Sequence, residues 1–271
     1  MKKEELLRGQ IDILVKETRE IKKKQIDAKM HYEYCKKVNE IVINTLKELQ
    51  KFEIMKGDYS SLIRLIMFYQ PYAEYEDFDN LNYDKNLKTT YQYVNKYLDE
   101  KLLKDKDFVI EYVTIHLLGL AYIDEKFRND FDVVLSAVKS DGYNIMYASE
   151  NLRDNEIIVK AALYRHNPMY PGYKPKLYYV SDRLRDDEEI CKRAIEENLS
   201  NSLYVSERLK NSDEFSDFLL KERYGLTIKD LDTMTIDEIF KKICQEPKFS
   251  ILDLPQKYRN NKELMKKIED M

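Results

Sequence analysis

The chain has 271 residues, of which 35% are charged, a formal net charge of -4, and only 6 Gly and 6 Pro. This composition favours long helices over turns, and the small net charge gives no overall attraction for nucleic acid or an anionic membrane. Its 3 Cys lack metal-ligand spacing, which predicts a reduced, cytoplasmic protein. No stretch approaches about 18 apolar residues, so we expect no membrane span. The first residues lack the apolar core of a signal peptide, so we expect no signal peptide.

Residues 1–56 contain no Pro and place apolar side chains at the alternating spacing of a heptad seam. One interpretation is a long helix that pairs with a second copy and makes the protein a homodimer. The other is a break near residues 22–28 that folds the segment into a hairpin against the rest of the chain. Off-seam apolar residues such as Ile13 and Ile43 favour the hairpin, because they widen the apolar face. The seam residues are Leu7, Ile11, Leu14, Ile21, Val42, Leu46 and Leu49.

Residues 57–90 are interpreted as a connecting helix and a linker. The apolar run SLIRLIMFY begins at a serine that can cap a helix, and Pro71 ends it. The acidic and aromatic stretch YAEYEDFDNLNYD follows. We interpret it as an ordinary connector between the N-terminal part and the rest, in preference to a docking surface.

One phrase recurs through residues 91–271, at a typical interval of 25 residues. LAYIDEKFRNDFDVVLSAVKSDG returns as IMYASENLRDNEIIVKAAL, LYYVSDRLRDDEEICKRAI, SLYVSERLKNSDEF and ILDLPQKYRNNKELMKKI, after a looser copy YLDEKLLKDKDFVIEYV. Apolar pairs after each anchor, such as Val133/Ala137, lie on one helical face that must pack on a neighbouring copy. The repeats therefore predict an all-α fold, a right- or left-handed solenoid of short helical hairpins. The basic residue that anchors each copy is Lys104, Arg128, Arg153, Arg185, Lys210 or Arg259.

Polar residues mark the expected helix ends in each copy. Asp154 and Asp186, directly after an anchor, are predicted to be N-caps of the longer helices. The short helices should begin near Ser149, Ser181, Ser206 and Pro255. Left-handed C-caps are predicted at Gly119, Gly142, Asn167, Asn198 and Gly225.

The segments VVLSAVKSDG, MYASENLRDNEIIVKAAL and VSDRLRDDEEICKRAI resemble a family of uncharacterised bacterial and phage helical repeats, a domain of unknown function. The resemblance covers residues 95–223 well and residues 249–271 less closely. It implies a stacked α-helical fold that occurs in several copies, and it implies no catalytic residue.

The period breaks once, between Arg153 and Arg185, where seven extra residues enter near RHNPMYPGYKPK. Insertions in solenoids are extruded as loops on one face, often the binding face. We therefore expect a partner to contact this loop at Arg165, His166, Met169, Tyr170, Tyr173 and Lys176. Further along, residues 226–247 are predicted to form a degenerate copy, and residues 249–271 a terminal copy.

Two rows of side chains, repeated from copy to copy, are candidates for ligand contacts. The anchors form a basic row that could follow phosphates, but an acid or amide three residues earlier in most copies favours local ion pairs. A tyrosine six residues before most anchors favours packing between copies over base stacking. The sequence contains no phosphate-binding Gly-rich loop, nucleophile elbow or paired metal-ligating histidines. We accordingly expect no catalytic residue, metal or cofactor.

These patterns predict a non-enzymatic helical-repeat protein that binds a macromolecular partner, preferably a protein, as a phage- or pathogen-type inhibitor or accessory factor. The first alternative is a nucleic-acid-associated protein that uses the basic row and the tyrosines. The second is an enzyme with a site between the repeats and the N-terminal helices.

Overall fold

The computed structural model describes residues 9, 13, 16, 36–37, 40–47, 62–63, 98, 100–115, 118–164, 173–245 and 254–270. Within these residues the regular secondary structure is helical and includes no strand, which confirms the all-α prediction. The chain divides into two compact units, Met1–Ser149 and Glu150–Met271.

The N-terminal seam is described at Val42 and Leu46. Residues 40–47 are helical, and both side chains are buried within the single chain, together with the off-seam Ile43. This burial favours the hairpin interpretation for that part of the segment, because no second copy is needed to cover the pair. Five seam residues lie outside the described residues: Leu7, Ile11, Leu14, Ile21 and Leu49.

The copies in the first unit each begin with a 3-10 turn. The elements, in order, are the turn Leu102–Lys104, α1 (Lys106–Ile115), the turn Gly119–Tyr122, α2 (Glu125–Arg128), α3 (Phe131–Ser140) and the turn Gly142–Tyr147. Helices α1 and α3 pack against each other. Their apolar pairs, Val109/Val113 and Val133/Ala137, are fully buried, as their spacing predicts.

The second unit repeats the order of turn, short helix and longer helix as far as α9 and then continues with α10 to α13. They are α4 (Glu150–Arg153), α5 (Glu156–Tyr164), the turn Lys176–Tyr179, α6 (Asp182–Arg185), α7 (Glu188–Glu197), the turn Leu199–Tyr204, α8 (Glu207–Lys210), α9 (Asp213–Tyr224), α10 (Ile228–Thr233), α11 (Ile236–Cys244), α12 (Gln256–Arg259) and α13 (Lys262–Glu269). Helix α7 packs on both α5 and α9, and α11 packs on α13. Ile239 and Ile243 of α11 are buried in a shared apolar cluster with Leu231, Leu254 and Leu264.

The N-caps of the longer helices lie one residue later than predicted. Ser181 and Ser206 cap the short helices as expected. Asp186, however, is the C-cap residue of α6, and the neighbouring Asp187 accepts the backbone N–H of Ile190 to cap α7. The reason is geometric: the residue after the anchor closes the short helix, so the extended backbone that an N-cap requires comes one position later.

Among the predicted left-handed C-caps, the glycine at Gly225 is confirmed, with φ of 63°. Asn198 is extended, and next to Gly119 it is Leu118 that has a positive φ, 55°. Ahead of Gly142, Asp141 is extended because its side chain accepts an N–H of the following turn, as Asn198 also does. Helices α3 and α7 thus continue into 3-10 turns through an extended residue, whereas the turn at Gly119 follows the left-handed Leu118. Asn167 lies outside the described residues.

A buried asparagine joins neighbouring turns within each unit. In the first unit, Asn144 Oδ1 accepts the N–H of Leu120 (3.1 Å), and its Nδ2 donates to the carbonyls of Ala137 and Asp141 (both 3.0 Å). In the second unit, Asn201 makes the same three bonds, with Leu177 N (2.9 Å), Ala194 O (2.7 Å) and Asn198 O (3.0 Å). Both amides are fully buried, and each satisfies polar backbone atoms of two successive turns.

We expect Asn201→Ala to lower the free energy of unfolding by about 1–3 kcal/mol, because it leaves one buried N–H and two carbonyls without this partner. Urea unfolding of the full chain measures the change. Asn151→Ala, at an exposed position of the same unit, is the matched control and should change stability by less than about 0.5 kcal/mol. Equal effects of the two substitutions would contradict the role of the buried amide.

Candidate functional site

The anchor side chains bond to their own chain. Arg128 Nη2 donates to the carbonyl of Ala121, seven residues earlier, at 2.9 Å. Lys210 Nζ makes the equivalent bond to the carbonyl of Leu203 at 3.3 Å. The anchor Arg259 donates to the carbonyl of another anchor, Lys210, at 3.0 Å. Anchors thus serve as internal donors for the backbone of the turns.

Several anchors also form ion pairs with acids a few residues earlier. Arg153 lies 4.0 Å from Glu150, Lys210 lies 3.0 Å from Glu207, and Arg185 bonds Asp182, each three residues earlier. Lys104 instead pairs with Glu100 at 3.1 Å. The Nε atoms of the anchor arginines 128, 153, 185 and 259 are buried without a hydrogen-bond partner among the described residues. Anchors that already pair with acids of their own copy are less available to bind phosphates.

The lysine anchor Lys210 predicts how substitutions of Arg128 affect stability. Lysine already makes the equivalent backbone bond at Lys210, so Arg128→Lys should change the free energy of unfolding by less than about 0.5 kcal/mol. Arg128→Ala should cost about 1–2 kcal/mol, because it removes the donor to the Ala121 carbonyl. Chemical denaturation of both variants tests this, and an equal cost for lysine and alanine would refute it.

A serine precedes the short helices α4, α6 and α8 and bonds to the preceding copy. In the second unit, the N–H of Ser181 donates to the carbonyl of Arg153 (3.2 Å), and the N–H of Ser206 to that of Arg185 (3.0 Å). In the first unit, the N–H of Ser149 bonds the carbonyl of Arg128 at 2.9 Å. The anchor carbonyl therefore fixes the backbone of the following copy.

The acid after the anchor completes this junction. Asp154 accepts the hydroxyl of Ser181 at 2.5 Å and the Nε of Arg183 at 3.0 Å. Asp186 likewise accepts from Ser206 and Arg208. The serine hydroxyl, helped by the arginine, holds the pKa of each aspartate below its ordinary value of 3.8. Both acids were predicted to be helix caps, and neither arginine was predicted, although Arg183 and Arg208 lie one period apart in the sequence.

Acid should weaken the second unit through Asp154 and Asp186. Because their pKa values are lower in the folded protein, protons bind the unfolded chain first as the pH falls. Their stabilisation is complete above about pH 5 and is lost as the pH falls through the lowered, folded-state values. We expect Asp154→Asn/Asp186→Asn to lose less stability than the wild type between about pH 5 and pH 3.

Urea midpoints of the full chain at each pH provide the measurement. The control, Asp213→Asn/Glu222→Gln, changes two exposed acids and should follow the wild-type profile. If the junction variant follows that profile as well, the two aspartates do not set the acid sensitivity.

Part of the predicted partner-binding loop is described. Arg165, His166, Met169 and Tyr170 lie outside the described residues, and Tyr173 is half-buried. Lys176 was expected on an exposed loop, but it is 1% exposed and its Nζ lies 2.8 Å from the buried carboxylate of Glu197. It occupies the copy position of the buried asparagines, so it supports a turn from the inside and offers no exposed surface.

Large apolar side chains are exposed on the turns of the second unit. Tyr178 is 48% exposed and Leu203, at the equivalent position of the next copy, is 52% exposed. Leu199, in the same turn as Leu203, is 37% exposed. The ring of Tyr178 lies edge-on to that of Tyr204, with 5.2 Å between centroids. We call Tyr178, Leu199, Leu203 and Tyr204 the turn patch.

The turn patch gives a structural role to the predicted tyrosine row. It also includes the position of Tyr178 and Leu203, which was not predicted. Tyr179 and Tyr204 belong to the predicted tyrosine row, and both pack edge-on against Tyr178. The exposed position itself changes from Ala121 and Met146 in earlier copies to Tyr178 and Leu203. A change from smaller or flexible to bulky residues at one repeat position was the available signal.

Cations lie at the edges of the turn patch. The guanidinium of Arg223 lies 3.5 Å from the carbonyl of Leu199 and 3.4 Å from the hydroxyl of Ser202. Lys174 is exposed, and its backbone N–H bonds the hydroxyl of Tyr179. The Arg223 guanidinium therefore lies beside the turn that contains Leu199 and Ser202.

Reactive groups are not gathered at this surface. Cys191 is buried, its Sγ lies 3.1 Å from the carbonyl of Arg185, and burial raises the pKa of the thiol to about 12. In the described part of the chain, no cluster of His, Cys, Asp or Glu could hold a metal ion. Every helix within the described ranges is too short or too polar to cross a bilayer.

Residues 116–153, 130–171 and 156–210 match a family described as "Domain of unknown function (DUF4116)". The central copies are similar to that family. The matched range includes the turn patch and both serine junctions of the second unit, and the description assigns no activity. No curated protein and no solved structure matches the chain. Similarity to an uncharacterised domain, predicted from the repeat phrases, is therefore confirmed.

Proposed function

We propose that this chain is a non-enzymatic binding protein and that its partner is another protein. The turn patch carries the proposal, because Tyr178 and Leu203 expose about half their surface at equivalent positions of adjacent copies. Contiguous exposed apolar surface on a folded protein commonly marks an interaction site. Tyrosine is also enriched among residues that dominate protein interfaces.

The charge pattern favours a protein partner over nucleic acid. Anchors donate to backbone carbonyls or to acids of their own copy, and Arg183 and Arg208 are neutralised by Asp154 and Asp186. Binding to a phosphate backbone depends on cations that are available to replace counterions. The second unit instead offers an apolar surface whose basic groups lie at its margin.

We extend the proposal to a cytoplasmic accessory factor or inhibitor of the phage or pathogen type, acting by covering a site on its partner. The support for this extension is the resemblance of the repeats, together with three cysteines that lack metal-ligand spacing in the sequence. Pairing of two copies through the N-terminal seam stays a prediction.

Capture from a nuclease-treated lysate of the native source tests the function. The wild-type chain should retain a stoichiometric protein, and Tyr178→Ser/Leu203→Ser should retain at least about tenfold less. The control Ile157→Ser changes a side chain that is 61% exposed on α5, outside the patch, and should behave like the wild type. Capture that vanishes with nuclease, or that is equal in both variants, would contradict the proposal. Thermal melting should show that all three proteins are equally folded.

A further inference from the structure

We propose that each copy selects the copy that follows it by matching the charges of two residues at the junction between them. The first residue directly follows the anchor of one copy, and we call it the acceptor position. The second lies two residues before the anchor of the next copy, and we call it the donor position. This inference goes beyond the proposed function, because it concerns which copies can pack on one another and involves no partner.

Two arginines at the donor position bond both the side chain and the backbone of the aspartate at the acceptor position. The Nε of Arg183 donates to Asp154 Oδ1 at 3.0 Å, and its Nη2 donates to the Asp154 carbonyl at 2.7 Å. Arg208 makes the same two contacts with Asp186, at 2.9 and 2.7 Å. An exposed ion pair alone contributes little, but a guanidinium held by a carbonyl as well meets its carboxylate in a defined geometry.

The terminal copy has a lysine at the donor position, and this lysine also meets an acid. Lys257 Nζ lies 2.5 Å from Asp232 Oδ1, in the copy predicted to be degenerate. Pro255 stands where the other junctions have a serine, so it can donate neither an N–H nor a hydroxyl. The pairing of a cation with an acid therefore persists where the serine bond is absent, and it is not a by-product of that bond.

The sequence shows a match at two further junctions. Asn129 occupies an acceptor position, and the donor position of the next copy is Asn151. One copy earlier the two positions hold Asp105 and Lys126, although the Lys126 ammonium lies over the ring of Phe127. An acid is thus followed by a cation and an amide by an amide, as a rule of charge matching requires.

The serine bond alone cannot distinguish one neighbouring copy from another. At both serine junctions of the second unit, a serine N–H bonds the carbonyl of the preceding anchor. Any copy with that serine could make the bond. Two acids or two cations meeting beside it would repel each other, and repulsion of wrong neighbours is a general source of specificity.

Two double variants of identical composition test the rule in the full chain. Asp154→Arg/Arg183→Asp, the matched variant, exchanges the partners of one junction and keeps opposite charges there. Arg183→Asp/Asp186→Arg, the crossed variant, opposes two acids at one junction and two cations at the next. In urea denaturation we expect the matched variant to unfold close to the wild type, and the crossed variant to have an unfolding constant at least about tenfold larger.

Added salt separates charge matching from changes in helix capping or packing. Because salt screens exposed charges, about 1 M NaCl should reduce the difference between the matched and crossed variants severalfold. Equal urea midpoints for the two variants, or a difference that salt leaves unchanged, overturns the inference. Folding of the matched variant alone supports it.

A third variant decides the case in which neither double variant folds. Asp154→Asn/Arg183→Asn copies the amide pair of the earlier junction and should be more stable than Arg183→Asp alone, which opposes two acids. If the amide variant is no more stable than that single variant, charge matching does not select neighbouring copies.

Discussion

The hydrogen bond from a serine N–H to the carbonyl of the preceding anchor determines how the copies in each unit are placed. It joins Ser181 to Arg153 and Ser206 to Arg185 in the second unit. Because it is a backbone bond, its length hardly varies with the side chains around it. The hydroxyl of the same serine then places the aspartate and the arginine. The backbone bond and these side-chain contacts therefore occur together at the same junction.

The repeated charges have a structural explanation that leaves few of them for a ligand. Each aspartate of a junction accepts hydrogen bonds from a serine hydroxyl and an arginine, and several anchors donate to a backbone carbonyl or pair with an acid of their own copy. Surface ion pairs contribute little individually. Their use at both serine junctions of the second unit instead joins one copy to the next. The hydrogen bonds and ion pairs that recur between copies therefore explain the architecture. Residues that differ between copies are better candidates for a functional site.

Much of the fold follows from local spacing in the sequence. The apolar pairs predict helix faces correctly because residues four apart in a helix lie on one face whatever surrounds them. The junctions were harder, because Asp154 bonds residues 27 and 29 positions away and its sequence context is also that of a cap. The asparagine bridge was missed for a related reason. Asn144 and Asn201 are two intervals apart, and the copy between them has Lys176 at the same position. The turn patch depends on exposure, which the sequence pattern did not provide.

Lys176 and Glu197 mark a place where the chain has tolerated a change in length. The amide of Asn201 is braced by Ala194 and Asn198, which precede it, whereas Lys176 is braced by a carboxylate that follows it. The Lys176–Glu197 pair lies on the downstream side of this turn, and the seven extra residues of the interval enter upstream of it. The same position is a natural choice for grafting a foreign epitope or a reporter peptide into the chain.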